Sequence, residues 1–487
     1  MAFSTSPIRP RMLIDGELVE ASDGKTFSVY NPATREVSGE VPEATADDTN
    51  RAVAAAKAAF PAWSALGPAK RAVYLKKLAA LIREHRDEIA KLDAVAMGMP
   101  VSTHFFAESA AGQYDHYAEA WPHIQGQASV NTPGHVTMTL RQPFGVVALI
   151  IPWNVPVHFF ASKSAPALIT GNTVVLKTSE KAPLAVARIA KLVKEAGFPP
   201  GVFNVLSGHG IPSGQILSRH MDVRALSFTG SSRTGKLIQE EAARTNLKKV
   251  ILELGGKSPA IIFDDANLEK AVAQTRWSMQ FNSGQVCMAN SRIYVQSTIA
   301  EKFVEQFKVS YSSSVKSGNP LDKETNHGPQ ADELQYKHVL SYINSAKDSG
   351  ATLALGGSGK LETSNGYFIE PTIFLNTPEE AKITKEEVFG PVVIINTFET
   401  EKEAIAKAND TEFGLYASVF TKDISRAMRV VQALESGYVG INTTSPNTAY
   451  DLPFGGYKGS GQGREGALCS MDNFLEVKSV IMALEEE

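Results

Sequence analysis

Cys287 is the side chain best suited to nucleophilic chemistry, and it is one of only two cysteines among 487 residues. It lies in residues 282–292, which read Asn-Ser-Gly-Gln-Val-Cys-Met-Ala-Asn-Ser-Arg. A thiolate attacks carbon readily near neutral pH, but only where its neighbours lower the pKa of the thiol and leave it partly exposed. Gly284 should let the backbone approach a ligand closely, and polar neighbours such as Ser283 and Gln285 disfavour a sealed apolar interior. Most free cysteines are simply buried, so this assignment depends on the rest of the chain.

Two further motifs carry groups that could assist a thiol. Asn154 stands in Pro-Trp-Asn-Val-Pro directly after an apolar strand, and the prolines would hold its amide towards an oxyanion. The structural alternative is a turn asparagine that bonds its own backbone. Glu253 ends an apolar strand in Leu-Glu-Leu-Gly-Gly-Lys-Ser-Pro, where its surroundings should raise the pKa of the carboxyl and suit it to general-base work. The alternative there is a salt bridge to Lys257.

Two motifs are suited to a nucleotide. Lys177 and Glu180, in Lys-Thr-Ser-Glu after a strand, could hold the two hydroxyls of a ribose. A solvated ion pair, with Ser179 capping the next helix, is the alternative. Gly230 and Ser231 lead from a strand into a helix, whose first amides could cradle a phosphate. The spacing there is Gly-x-x-x-x-Gly and not the dinucleotide fingerprint Gly-x-Gly-x-x-Gly, so this motif is a weak signal by itself.

The hydrophobic pattern predicts the elements that position these groups. From residue 145 onward, short apolar strands alternate with helical stretches, which is typical of βαβ units and a mostly parallel sheet. Ligands bind at the carboxyl ends of the strands in such sheets, where most of the motifs fall. Later strands, such as those predicted at 368–374 and 392–398, would build a second α/β domain.

The N-terminal part of the chain is predicted to pack against this core. Residues 12–19 and 26–30 are predicted as short strands of an edge hairpin around a Gly-containing turn. A run of helix formers begins at Asp47, which is a plausible helix cap, and amphipathic helices continue over 70–97.

Composition excludes several classes of partner. The chain is 43% hydrophobic and 21% charged with a formal net charge of -4, which fits a multi-domain globular protein without general attraction to nucleic acid or an anionic membrane. The start of the sequence lacks the apolar core of a secretory signal, and the longest apolar run, 146–151, is too short to span a bilayer. Two cysteines fit a reducing compartment, so we expect a cytoplasmic protein. No metal ligand is assigned.

Taken together, the motifs resemble those of one family. Pro-Trp-Asn, Lys-x-Ser-Glu, Phe-Thr-Gly-Ser, Leu-Glu-Leu-Gly-Gly-Lys-Ser-Pro, Gly-Gln-x-Cys, Glu-Glu-Val-Phe-Gly-Pro and Pro-Phe-Gly-Gly-Tyr-Lys-x-Ser-Gly occur in that order along the chain. This order is similar to that of the NAD(P)-dependent aldehyde dehydrogenase superfamily, and the resemblance covers essentially the whole sequence. Composition and periodicity are consistent with this family but do not identify it.

The resemblance implies a catalytic role for three residues. Cys287 would attack the aldehyde carbon, and the Asn154 side chain with the Cys287 backbone N–H would hold the oxyanion. Glu253 would activate the water that hydrolyses the resulting thioester to a carboxylic acid. The expected function is therefore the NAD-dependent oxidation of a small-molecule aldehyde.

The resemblance also implies a cofactor site and a substrate channel. Glu180 should accept from ribose hydroxyls and repel a 2′-phosphate, so NAD is favoured over NADP. Near His158 the channel looks apolar and able to take an aromatic or medium-length aldehyde, although ordinary helix packing explains any one of its side chains equally well. The implied cofactor-binding residues are Lys177, Glu180, Gly230, Ser231, Trp153, Glu387 and Phe389. The implied channel residues are Phe159, Phe454, Val155, Val286 and Met288.

The fold implied by the resemblance is α/β with a small β extension. A Rossmann-like parallel-sheet cofactor domain would comprise 1–124 and 144–255, and a second α/β catalytic domain 256–469. Strands in 125–143 and 470–487 would pair in an oligomerisation sheet, so a homodimer or homotetramer is expected.

Two other functions compete with this prediction. A catalytically silent structural or binding protein could retain the fold, but the thiol, the amide and the ribose-binding pair are all present. A CoA-acylating dehydrogenase would use the same thioester, but it resembles family members that lack the carboxylate found here at Glu253.

Overall fold

The computed structural model describes residues 7–485; residues 1–6 and 486–487, at the ends of the ranges predicted above, lie outside the described part. Within it, the strands are β1 (Met12–Ile14), β2 (Glu17–Val19), β3 (Thr26–Tyr30), β4 (Val37–Pro42), β5 (Ala128–Ser129), β6 (His135–Pro143), β7 (Val146–Ile150), β8 (Thr173–Lys177), β9 (Phe203–Leu206), β10 (Val223–Thr229), β11 (Lys249–Glu253), β12 (Pro259–Ile262), β13 (Arg292–Gln296), β14 (Thr352–Leu355), β15 (Thr372–Leu375), β16 (Val392–Phe398), β17 (Phe413–Gly414), β18 (Tyr416–Phe420), β19 (Tyr438–Ile441), β20 (Tyr457–Lys458), β21 (Gly461–Gln462) and β22 (Leu475–Ala483). The α-helices are α1 (Ala46–Ala65), α2 (Pro68–Glu84), α3 (Arg86–Met97), α4 (Phe106–Ala120), α5 (Pro156–Ile169), α6 (Leu184–Glu195), α7 (Gln215–Arg219), α8 (Ser232–Arg244), α9 (Leu268–Gln280), α10 (Ser297–Ser314), α11 (Glu333–Asp348), α12 (Leu361–Ser364), α13 (Lys382–Lys385), α14 (Glu401–Asn409), α15 (Ile424–Ala433) and α16 (Cys469–Asp472).

The first sheet has the order β2-β1-β9-β8-β7-β10-β11-β21, and its five central strands are parallel. Its strands are apolar on both faces because helices cover both sides. Along β7, Val147 and Leu149 belong to the core shared with α5 and α6, whereas Val146 and Ala148 belong to the core shared with α1. The alternation of β-strand side chains thus places one layer of helices on each face.

The second sheet has the order β14-β15-β16-β13-β12-β18-β19 and is parallel except for its edge strand β14. β6 and β22 pair antiparallel along their whole length in a three-stranded sheet with β5, which confirms the pairing predicted for these distant segments. The prediction of an α/β fold with two parallel-sheet domains and a small β extension is confirmed. One short strand, β21, lies within the range predicted for the catalytic domain but pairs with β11 of the first sheet.

Two local predictions are wrong. The hairpin is formed by residues 12–19 alone, because Asp15 and Gly16 both have positive φ and make a two-residue turn between β1 and β2; β3 pairs with β4 in a separate sheet. The cap of α1 is Thr45, not Asp47. Thr45 and Asp48 form a reciprocal capping box, which satisfies two backbone N–H groups that a single aspartate cap would not.

The two sheets place the candidate motifs next to one another. The carboxyl ends of β7, β8, β10 and β11 meet at one edge of the first sheet, as parallel strands require. The loop that carries Cys287 runs into β13 of the second sheet and reaches back to the end of β11. Among residues 7–485, no helix has the length and apolar character needed to cross a bilayer.

Candidate active site

The Cys287 loop is held by an unusual backbone. Asn282, Ser283 and Gly284 all have positive φ (47°, 53° and 74°), which turns the chain sharply after α9. A Cβ on Gly284 would lie 2.1 Å from the Gly390 carbonyl oxygen. The glycine is therefore required for the close approach of another backbone segment, not of a ligand as predicted from the sequence.

The polar residues around Cys287 are buried and anchor the loop. Ser283 Oγ donates to the Gly328 carbonyl at 2.7 Å, and the Gln285 side chain bonds the carbonyl of Pro329 and the N–H of Ala331. Their side chains are polar because the loop crosses a region of irregular backbone whose carbonyls and amides need partners. The prediction that polar neighbours keep this loop out of a sealed interior is therefore wrong for Ser283 and Gln285, although Cys287 and Met288 are partly exposed.

Cys287 and Glu253 are joined by a hydrogen bond. Cys287 Sγ donates to Glu253 Oε1 at 3.4 Å, and Thr229 Oγ1 donates to Glu253 Oε2 at 2.9 Å. Burial raises the pKa of Glu253 to about 7, which confirms the expected rise. Within the described residues, Glu253 makes no salt bridge to Lys257, so the structural alternative for this carboxylate is not what the fold uses.

The pKa of the Cys287 thiol is raised, which contradicts the prediction that its neighbours lower it. The side chain is only partly exposed, and its burial is the main cause of the rise in the pKa. The carboxylates of Glu253 and Glu387 act in the same direction because a thiolate beside them is repelled. The thiol therefore needs a base to take its proton, and Glu253 already accepts that hydrogen bond.

Asn154 is tied to the same loop and does not close a turn of its own. Its Nδ2 donates to the Gln285 carbonyl at 3.0 Å, and its backbone carbonyl accepts from Asn282 Nδ2 at 3.0 Å. A primary amide has two N–H groups, so one remains for another acceptor. The backbone N–H of Cys287 likewise has no partner among residues 7–485.

A cavity of about 670 Å³ opens beside the thiol and is bordered by Cys287, Glu253 and Asn154. The five predicted channel residues all line it: Val155, Phe159, Val286, Met288 and Phe454. Helix α5 contributes Phe159 because it begins at Pro156, immediately after the loop that carries Asn154.

The carboxyl end of β8 presents Lys177 and Glu180. Lys177 Nζ is buried and donates to the carbonyls of Thr178 and Gly208 at 2.9 and 2.5 Å, and burial lowers its pKa. Glu180 Oε2 accepts from Ser179 Oγ at 3.2 Å. No Lys177–Glu180 ion pair forms within 7–485, and Ser179 does not cap α6, so neither part of the structural alternative holds.

The carboxyl end of β10 leads directly into α8. Ser231 is the N-cap of this helix, and its Oγ accepts from the Thr234 N–H at 3.3 Å. The Gly230 N–H donates to the Glu253 carbonyl at 3.1 Å, so the loop lies next to the candidate base. The first turn of α8 is a helix N-terminus of the kind that accommodates anions.

A third group of predicted cofactor residues comprises Glu387, Trp153 and Phe389. Glu387 Oε1 accepts from the Gly256 N–H at 3.0 Å, and burial raises its pKa to about 7. A Cβ on Gly255 would lie 2.4 Å from Glu387 Oε2, so glycine is needed for this contact. The rings of Trp153 and Phe389 meet edge to face at 5.3 Å.

Three residues that the sequence analysis missed, Lys163, Ser227 and Glu465, form a hydrogen-bonded cluster that influences Glu253. Lys163 Nζ donates to Ser227 Oγ at 2.9 Å and to Glu465 Oε1 at 2.5 Å. The Glu465 carboxylate raises the pKa of Glu253, and the Lys163 ammonium lowers it. Every residue of α5 except His158 is buried. A lysine in such an apolar helix needs a partner for its charge, and this was the signal that could have revealed the cluster.

Similar proteins are found for nearly the whole chain. A family model described as the aldehyde dehydrogenase family matches residues 18–480. An aldehyde dehydrogenase of Emericella nidulans is 43% identical over 471 residues, which are 96% of this chain and 94% of the relative. Retinal dehydrogenase 2 of Homo sapiens is 42% identical over 482 residues, 98% of this chain and 92% of the relative.

Solved structures are equally similar. The aldehyde dehydrogenase KauB from Pseudomonas aeruginosa has a TM-score of 0.96 at 40% identity, covering 98% of this chain and 97% of that one. A mutant of the P. syringae indole-3-acetaldehyde dehydrogenase AldA, in complex with NAD+ and IAA, has a TM-score of 0.96 at 39% identity, with 99% and 98% covered.

Proposed function

Since this chain belongs to the aldehyde dehydrogenase family, we propose that it oxidises an aldehyde to the carboxylic acid with NAD, through a thiohemiacetal and then a thioester on Cys287. The single observation that carries the proposal is the 3.4 Å contact between Cys287 Sγ and Glu253 Oε1 at the wall of the cavity that Asn154 also borders. A nucleophile, a base and an amide donor thus converge on one space.

Glu253 is the base in the first step. The thiol cannot ionise by itself near neutral pH because its pKa is raised, so its proton passes to the Glu253 carboxylate as Sγ attacks the aldehyde carbon. The carbonyl oxygen becomes an oxyanion, and the free N–H of the Asn154 amide and the backbone N–H of Cys287 donate to it.

The residues at the sheet edge fit a dinucleotide. Lys177 and Glu180 would hold the hydroxyls of the adenosine ribose, and the first amides of α8 beside Gly230 and Ser231 would receive the pyrophosphate. The Glu180 carboxylate would repel a 2′-phosphate, which favours NAD over NADP. NAD, when bound, accepts the hydride that leaves the thiohemiacetal carbon.

The nicotinamide end of the cofactor site adjoins the base. Trp153 and Phe389 supply an aromatic corner, and Glu387 lies against Gly255 and Gly256, directly after Glu253. These side chains would hold the nicotinamide end of the cofactor. Before the last step, Glu253 releases the thiol proton to solvent through the cavity that it borders. It then takes a proton from the water that attacks the thioester, and the Cys287 thiolate leaves and is reprotonated as the carboxylic acid is released.

We infer that the substrate is an apolar aldehyde and that the cavity also suits an aromatic one. Val155, Val286 and Met288 surround the thiol with apolar surface, and Phe159 and Phe454 add rings further along the cavity. Two of the similar proteins are named for indole-3-acetaldehyde and retinal.

The protein acts as a homodimer or homotetramer. The outer face of β22 exposes Val477 and Ile481, each 65% accessible, on a sheet that does not belong to the cores of the two large domains. Light scattering tests this proposal, because Ile481→Lys should dissociate the assembly. A monomeric wild type would contradict it.

The cytoplasm is the proposed location. Cys287 and Cys469 are both free thiols, as a reducing compartment allows. Detection of the native protein outside the cytoplasm by fractionation would contradict this.

The test of the proposed function is NADH formation by purified protein with propanal and with benzaldehyde. Carboxylic acid and NADH in equal amounts support it. A silent structural protein would form no NADH with any aldehyde. A CoA-acylating dehydrogenase would require CoA and release an acyl-CoA, which the raised pKa of Glu253 and its contact with Cys287 disfavour because they suit it to water activation.

A further inference from the structure

The cavity beside Cys287 is lined by an aromatic set and a polar set of side chains, called here its aromatic wall and its polar wall. The two sets adjoin where Phe106 and Phe159 contact His158. Its aromatic wall consists of Phe105, Phe106, Phe159, Trp277, Phe281 and Phe454. Its polar wall consists of Ser109 and Gln113 from α4 and His158 and Ser162 from α5. In each helix the two polar residues are four positions apart, so they lie one turn apart on the same face.

The polar wall contains more hydrogen-bonding capacity than the protein uses. Ser162 Oγ is buried without a partner, and the Gln113 amide bonds to nothing in 7–485 although the residue is only 8% exposed. His158 Nδ1 lies 3.3 Å from Ser109 Oγ, and its Nε2 has no partner among the same residues. Polar groups that lack a protein partner at the wall of a cavity are costly unless water or a ligand forms hydrogen bonds with them.

His158 is uncharged near neutral pH. Burial lowers the pKa of its imidazole to about 4, and the two charged groups that influence it, Glu465 and Lys163, act in opposite directions. Rings of Phe106 and Phe159 meet the imidazole edge to face at 6.1 and 5.3 Å and fix its plane. A neutral imidazole with one free nitrogen suits a neutral hydroxyl better than a carboxylate, which would lack a counter-charge there.

We propose that the preferred substrate is an aromatic aldehyde with a hydroxyl group on its ring, and that His158, with Ser162 and Gln113, binds this hydroxyl. This inference rests on the proposed function, because the aldehyde carbon must face Cys287. The aromatic wall packs against the ring, and the polar wall receives the substituent. A hydroxyl next to the aldehyde group would lie by the thiol, so the meta and para positions are the ones that the polar wall serves.

The test compares hydroxyl with methyl, which is similar in size but forms no hydrogen bond. With NAD, kcat/KM is measured for 3- and 4-hydroxybenzaldehyde and for 3- and 4-methylbenzaldehyde. The wild type should prefer at least one hydroxy compound over its methyl partner by at least about tenfold, because a methyl group leaves the polar wall unpaired.

Variants assign the preference to His158. His158→Leu should remove most of it by lowering kcat/KM for the hydroxy compound alone, whereas His158→Gln should retain part of it. Ser162→Ala should reduce the preference by about threefold, and the surface variant His123→Leu should leave it unchanged.

The proposal is overturned if the wild type handles hydroxyl and methyl compounds equally. It is also overturned if His158→Leu lowers kcat/KM for both by the same factor, because the residue would then be a packing element only. Failure of the proposed function is a separate result, since no NADH would form from benzaldehyde or propanal.

Discussion

Cys287 Sγ donates a hydrogen bond to Glu253 Oε1 across 3.4 Å, although the two residues are 34 positions apart in the sequence. Each side chain perturbs the other. The carboxylate raises the pKa of the thiol, and the thiol hydrogen bond slightly offsets the effect of burial on the carboxyl. In the proposed mechanism the pair exchanges one proton as a unit, so that no cation beside the cysteine is needed to generate the nucleophile.

Glu253→Gln should make the protein more stable at high pH. Burial raises the pKa of Glu253 from 4.5 to about 7, so the folded state holds this proton more tightly than the unfolded state. The resulting stabilisation is present below the unfolded pKa and is lost as pH rises through the folded pKa. Glutamine cannot ionise, so urea unfolding should favour the variant at about pH 8 and show a smaller difference at about pH 5. A wild type that is the more stable form at the higher pH would contradict the buried, proton-holding carboxyl.

The Lys163–Glu465 cluster should tune the pH at which Glu253 becomes active. Glu465 raises the pKa of Glu253 and Lys163 lowers it. Glu465→Gln should therefore move the acidic limb of the kcat/KM profile to lower pH, and Lys163→Met should move it to higher pH. Shifts in the same direction, or none, would show that the acidic limb belongs to a different group.

Cys287→Ala should reduce NADH formation by at least about a thousandfold, since removing a nucleophile disables the remaining catalytic groups as well. NAD affinity, measured by calorimetry, should stay near that of the wild type because the predicted cofactor residues lie on other segments. Cys469→Ala is the matched control, as it removes the other free thiol at the start of α16. If the Cys469 variant lost activity and the Cys287 variant kept it, the nucleophile would have been assigned to the wrong cysteine.

Local patterns predicted the fold and the carboxyl-end positions of the motifs, because apolar strands and turn residues act over short distances. The rise in the pKa of Glu253 was likewise predicted from the apolar strand that this residue ends. The rise in the pKa of Cys287 was not predicted, because it depends first on burial in the folded protein and then on the carboxylates of Glu253 and Glu387, which only the fold brings near the thiol.

Close packing between distant segments could not be predicted from the sequence either. Lys163 meets Glu465 across 302 positions, and neither belongs to a motif that was singled out from the sequence. Gly284 was correctly picked as a special position, but its neighbour is the Gly390 backbone, which no local pattern reveals. Sequence alone thus located reactive residues better than it described the electrostatics around them.

Glu180→Ala should raise the KM for NAD by about three- to tenfold and reduce the preference for NAD over NADP. In the proposed cofactor site the Glu180 carboxylate accepts from ribose hydroxyls and repels a 2′-phosphate, so its removal should weaken NAD binding and relieve the repulsion of NADP. Glu195→Ala, which removes an exposed carboxylate from the end of α6, is the control for the loss of charge. An unchanged cofactor preference in the Glu180 variant would exclude this residue from the ribose site.

Gly284→Ala should destabilise the protein and inactivate it. Gly24→Ala should have a smaller effect on both stability and activity. The two glycines have nearly the same φ, +74° and +73°, so alanine suffers similar backbone strain at both, of about 1 kcal/mol. A Cβ at Gly24 meets nothing within 4 Å, but at Gly284 it lies 2.1 Å from the Gly390 carbonyl oxygen. The backbone must therefore move at Gly284, which displaces the Cys287 loop from Glu253 and Asn154.

Unfolding free energies and kcat/KM of the two glycine variants separate strain from the steric clash. We expect Gly284→Ala to cost at least about 2 kcal/mol more than Gly24→Ala and to lose most of its activity at temperatures where it is still folded. The loss of kcat/KM should exceed what the loss of folded protein explains, because a small displacement of the nucleophile is enough to misalign it. Equal stability losses and full activity in both variants would show that the loop tolerates the clash and does not position Cys287.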